Sequence, residues 1–166
     1  MKSTIYRYIL ALLIALAYNL IYIILYQITV YPAYGILQLF YDFTIQEQSF
    51  IFDSVTFTFI PACIAVTAYI VMAVLTITTR GLSLKKGLTI FAYGFMAIYF
   101  ANLIRIITLI SIYINFGKNY FNTLHFIIWN FLSTIFVVLV WIYLTNHYKV
   151  KGIPVYDDLK YLIKKI

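Results

Sequence analysis

Four long apolar runs, at residues 8–30, 57–79, 88–115 and 120–145, decide what this chain can fold into. Each reaches the roughly 20 residues that a helix needs to cross a bilayer. Within hydrocarbon every backbone N–H and C=O must be satisfied inside the protein, and a helix does this segment by segment. The expected fold is therefore an all-α integral membrane protein, a four-transmembrane-helix bundle forming a single domain over residues 1–166. With 64% hydrophobic and 10% charged residues, the chain is too apolar for an ordinary soluble domain and too poor in charge for a disordered segment or a coiled coil. Its one cysteine, Cys63, excludes an intramolecular disulfide.

The net charge of +7 is informative through its placement. Lys2 and Arg7 precede the first run, Arg80, Lys85 and Lys86 lie between the second and third, and Lys149, Lys151, Lys160, Lys164 and Lys165 follow the fourth. The other two connections carry Asp42, Glu47 and Asp53 but only Lys118 as a base. By the positive-inside rule both termini face the cytoplasm and residues 31–56 form an outer loop, aromatic enough to lie at the outer interface. The first run is too long for a signal-peptide core and lacks a small-x-small cleavage pattern, so it reads as a retained anchor in the cell membrane. In the tail, residues 146–166, Leu159, Leu162, Ile163 and Ile166 fall at helical spacing opposite Lys160, Lys164 and Lys165, after Pro154. That spacing predicts a short amphipathic cytoplasmic helix. No phosphate-binding glycine loop, nucleic-acid motif or metal-ligand spacing is present, and neither cofactor nor metal is expected.

Three residues are out of place in lipid. Arg105 is the only formal charge in the third run, and an arginine near the centre of a membrane helix costs about 2.5 to 3.5 kcal/mol unless it faces a polar cavity or a partner. Asn102, three residues earlier on the same face, is placed to orient it. Cys63 and His125 lie near the outer ends of the second and fourth runs. At 1.5 Å per residue the three sit about 9 Å (Cys63), 8 Å (His125) and 15 Å (Arg105) below the outer ends of their helices, so they can converge. A thiol alone is weakly nucleophilic at neutral pH. An imidazole that takes its proton and a fixed cation that stabilises thiolate and oxyanion turn it into a catalyst for acyl transfer.

Pro61-Ala62-Cys63 on one span, Asn102-x-x-Arg105-Ile106 on the next and His125 at the outer start of the following one together resemble the Cys/Arg/His signature of the exosortase and archaeosortase family. The resemblance covers roughly residues 57–141 and implies a small, four-span member; Ile64-Ala65 stand where relatives often carry Ser-Gly. It implies an integral-membrane cysteine transpeptidase with Cys63 as nucleophile, His125 as acid/base and Arg105 as electrostatic stabiliser. The implied partners are a membrane-anchored precursor protein with a C-terminal transmembrane sorting signal and an acceptor for the new carboxyl end, a lipid or an amine. A different class of function also fits the residues: a non-catalytic membrane subunit, or a small transporter, in which Arg105 is a structural or anion-binding charge.

Overall fold

The computed structural model describes residues 2–46, 48–128 and 133–163. Among them the chain forms α1 (Lys2–Leu16), α2 (Tyr18–Leu37), β1 (Thr44–Gln46), β2 (Ser49–Phe52), β3 (Val55–Thr58), α3 (Val66–Thr78), α4 (Leu84–Phe116), α5 (Lys118–Ile127), α6 (Ser133–His147) and α7 (Tyr156–Ile163). The fold is mostly helical, and two helices, α2 and α4, are long and apolar enough to cross a membrane. Only 33% of the apolar window of each is buried, so most of both surfaces points outward, unlike the core helix of a soluble protein.

The segmentation corrects the sequence expectation in four places. Residues 8–30 do not form a single straight rod: helix passes from α1 to α2 through a bend at Ala17, bridged by hydrogen bonds from Ala17 N–H to Leu13 and from Ile21 N–H to Ala17, both at 3.0 Å. The helix then overruns the expected boundary, through Pro32 to Leu37. Proline has no N–H for the carbonyl four residues back, that of Ile28. The Tyr99 hydroxyl of α4 donates to that carbonyl at 3.0 Å, so the helix continues with its backbone satisfied.

The expected outer loop, residues 31–56, instead holds the end of α2 and most of a three-stranded antiparallel sheet in the order β1-β2-β3, so the fold is not all-α. Its inner face is aromatic. Phe50 is 0% exposed and its ring lies 5.6 Å from Tyr34 of α2, 5.8 Å from Phe43 and 4.6 Å from Phe59. Phe57 packs on Tyr113 of α4 at 5.0 Å.

The second apolar run is divided as well. Its first residues belong to β3, a turn follows, and α3 has 13 residues, about 20 Å, which is shorter than a ~30 Å hydrocarbon core. The middle of the fourth run, residues 129–132, lies outside the described residues, and α5 and α6 flank it. Met1, Glu47, Lys164, Lys165 and Ile166 are outside them too.

α4 is the spine, 33 residues and about 50 Å long. Its start is capped by Ser83, whose hydroxyl accepts from Lys86 N–H at 3.4 Å. It ends at Gly117, whose φ of 84° is a conformation that costs glycine little and lets the chain turn into α5. α3 lies close along it: Gly94 of α4 faces the Met72 side chain of α3, and a Cβ at position 94 would collide with that methionine.

One end of the molecule is closed by its termini. Arg7 of α1 makes an ion pair with Asp158 of α7 at 2.7 Å and donates to the Thr78 carbonyl at the end of α3. Asp158 is 2% exposed. The segment before α7 packs so closely that a Cβ on Gly152 would strike the Arg80 carbonyl. Cys63 precedes the other end of α3, about one 13-residue helix length away.

Candidate functional site

Cys63 does not sit inside a helix, as its place in an apolar run led us to expect. Proline disfavours helical geometry in the residue before it, and Ile60-Pro61 separates β3 from α3. Between them lies a tight turn in which Cys63 N–H donates to the Ile60 carbonyl at 2.8 Å and Ile64 N–H to the Pro61 carbonyl at 3.2 Å. Ala65 then adopts a left-handed conformation, φ 59°, immediately before α3 begins. An alanine in that region carries a steric cost and persists only where its surroundings fix it.

Those surroundings come from α4. Arg105 Nη2 donates to the carbonyl oxygens of Ala62, at 3.2 Å, and Cys63, at 2.9 Å. Asn102 Nδ2 donates to the same Cys63 carbonyl at 3.1 Å. The expected pairing of Asn102 with Arg105 is thus realised through a shared acceptor: both side chains hold the backbone of the cysteine turn. A charge-assisted hydrogen bond in a poorly solvated site is among the stronger contacts available to a carbonyl. The same contacts also satisfy backbone acceptors that the turn leaves out of any helix or sheet.

His125 arrives from α5. Its ring lies 5.4 Å from Phe121, one turn earlier; Phe121 lies 5.6 Å from Tyr113, and Tyr113 5.0 Å from Phe57 of β3. This file of rings fixes how α5 stands against α4 and the sheet.

Cys63, Arg105 and His125 line a single cavity of about 270 Å³. Its remaining wall comes from residues 55–59 of β3 and the following turn, and from Ile106, Leu109, Ile110, Tyr113 and Phe121. Three residues picked out by chemistry alone, on three separate runs, therefore border one small and mainly apolar space. Asn102 faces elsewhere. Together with Arg105 it borders a second cavity of about 470 Å³ between α3, α4 and α6, walled chiefly by Ala65, Ala68, Ala101, Ile98 and Phe136. Its Oδ1 is buried and has no hydrogen-bond partner among the described residues.

Chemically, the first cavity offers a thiol, a base and a fixed cation beside apolar walls, which is what nucleophilic attack on an amide carbonyl requires. The contribution of β3 was missed in the sequence. Residues 55–59, Val-Thr-Phe-Thr-Phe, alternate in polarity and are rich in β-branched and aromatic side chains, a strand signal masked by the apolar run that follows.

Comparison with protein-family models, curated proteins and solved structures finds no match for this chain.

Proposed function

We propose that the protein is a membrane-embedded cysteine transpeptidase of the exosortase and archaeosortase type, which removes the C-terminal sorting signal of exported precursor proteins. The observation that carries this reading is the shared cavity of Cys63, Arg105 and His125. His125 takes the proton of the Cys63 thiol, and the thiolate sulfur bonds to the scissile carbonyl carbon while the oxygen gathers negative charge near Arg105. Collapse of that intermediate breaks the C–N bond. The amine leaves with the proton held by His125, and a thioester on Cys63 remains. An acceptor amine, a lipid hydroxyl or water then attacks the thioester, gives its proton to His125 and releases the thiolate.

The chain crosses the cell membrane four times in this reading: through α1–α2, through the cysteine turn with α3, through α4, and through α5–α6. The Arg7–Asp158 ion pair supports an even number of crossings, because it holds both terminal segments on one side. Arg80, Lys85 and Lys86 lie toward that same end and make it cytoplasmic; the sheet and the cavity then face outward, where an exported precursor presents its cleavage point.

The test is processing in membranes. Cys63→Ala, His125→Ala and Arg105→Ala should each leave the precursor's C-terminal segment attached, while the Cys63 and His125 variants accumulate normally. One observation favours the rival reading of a non-catalytic subunit: the hydrogen bonds from Arg105 to Ala62 and Cys63 go to backbone oxygen, which is structural work. That reading expects Cys63→Ala to be silent and Arg105→Ala to lower abundance or release a partner.

A further inference from the structure

β3 is the outer strand of its sheet, and among the described residues it pairs only with β2. Phe59 N–H donates to the Gln48 carbonyl at 3.0 Å, one step beyond the Ser49–Thr58 pair that begins the register. Opposed residues of an antiparallel ladder alternate between hydrogen-bonded and non-hydrogen-bonded pairs. Phe57–Phe50 and Val55–Phe52 are therefore bonded pairs, whereas Thr58–Ser49 and Thr56–Ile51 are not. The Ser49 and Thr58 hydroxyls, 3.0 Å apart, fit the closer approach of a non-bonded pair. It follows that the N–H and C=O groups of Thr56 and Thr58 point away from β2, toward the open edge.

That edge borders the cavity. Side chains of successive strand residues point to opposite faces, so a cavity beneath one face would touch every second residue. The cavity that holds Cys63 touches all of residues 55–59, and so runs along the edge of the strand. Its far wall, with Ile106, Ile110 and Tyr113 of α4, is apolar. The chain leaves β3 at Thr58 and reaches Cys63 five residues later.

We propose that the free edge of β3 is the binding site for the substrate backbone. On the peptidase reading, the polypeptide flanking the scissile bond lies extended against β3, exchanges hydrogen bonds with Thr56 and Thr58, and delivers its carbonyl to Cys63. The occupant is a polypeptide because the edge offers a donor and an acceptor together at every second residue, a repeat of about 7 Å that an extended chain matches. Main-chain recognition of this kind is indifferent to sequence, and selectivity falls to the side chains that turn toward the apolar wall.

The probe is acetyl-trialanyl chloromethyl ketone, which alkylates Cys63 with loss of chloride, compared with its backbone-N-methylated counterpart. Rates are read by intact-protein mass spectrometry and normalised to those with free cysteine. The unaltered protein should prefer the unmethylated probe by about tenfold, the value of two modest hydrogen bonds. Thr56→Pro and Thr58→Pro remove an outward N–H, the donor to a carbonyl of the probe, without touching the bonds to β2, and each should slow alkylation by the unmethylated probe about threefold, with the double variant slowed about tenfold. No preference in the unaltered protein, or a double variant that the unmethylated probe alkylates as fast as the unaltered protein, overturns the proposal. The methylated probe acts on the unaltered chain, so it decides even where a proline variant fails to accumulate. Failure of the peptidase reading has a different signature: Cys63 reacts with iodoacetamide equally fast with and without His125, and Cys63→Ala still processes precursor.

Discussion

The guanidinium of Arg105 donates to the backbone carbonyl of Cys63 at 2.9 Å across 42 residues of sequence, and Asn102 reaches the same oxygen at 3.1 Å. The turn that carries Cys63 is thus held from α4, and the two side chains should differ in weight. Asn102→Leu removes one of two donors to that oxygen, and a lost hydrogen bond of about 1 kcal/mol lowers processing some five- to tenfold. Arg105→Ala removes the charge and both of its carbonyl contacts, and processing should fall by at least about a hundredfold. Arg105→Lys keeps a charge but not the planar fork, and should resemble the alanine variant more than the parent. Single-turnover cleavage in isolated membranes ranks the three.

Removing His125 should spare the fold and abolish the chemistry. His125→Ala is expected to slow processing by about 10²- to 10⁴-fold, the usual contribution of a positioned acid/base. Iodoacetamide labelling of Cys63 should slow with it, because the imidazole no longer takes the thiol proton as sulfur attacks. Unchanged labelling would remove His125 from the site.

Tyr99 and Pro32 form a matched pair. Tyr99→Phe strips the donor from the Ile28 carbonyl, which Pro32 cannot supply, and should destabilise the protein by about 1–3 kcal/mol. In a Pro32→Ala background the helix provides its own N–H, so the same change should cost much less. Thermal unfolding of the four proteins in detergent closes this double-mutant cycle. Equal costs in both backgrounds would contradict it.

The ion pair between the termini predicts a detachable tail. Arg7→Ala leaves the Asp158 carboxylate buried without its cation, a change that commonly costs about 3–5 kcal/mol. α7 should come away before the rest unfolds. Limited proteolysis in the segment between α6 and α7 should accelerate, and Arg7→Ala combined with Asp158→Leu should slow it again.

The residues that border the candidate site were more legible than the architecture in this sequence. Cys63, Arg105 and His125 stand out because each is expensive or unusual in an apolar run, and that cost depends little on how the run is folded. The boundaries of the runs were a poorer guide. Hydropathy saw residues 57–79 as one span because Thr-Phe-Thr-Phe and the following alanines and isoleucines are equally apolar on average, although the first part alternates with period two and Pro61 separates it from the helix. Hydropathy ends the first run at residue 30, just before Pro32, yet the helix continues past that proline because a hydroxyl from α4 replaces the missing donor. That compensation is long-range, as is the clamp on Cys63, and neither leaves a local trace. The spacing of the tail predicts an amphipathic helix, and α7 is present; nothing in the sequence singles out Asp158, the side chain that buries itself against Arg7.

Whether Cys63 carries an acyl group during turnover bears most directly on the proposed activity. The protein, purified from membranes that also contain its precursors and kept poor in acceptor, should show by peptide mass spectrometry a hydroxylamine-sensitive adduct on Cys63 whose mass matches a cleaved precursor terminus. An unmodified Cys63 under conditions in which the precursor is nevertheless cut would contradict the account.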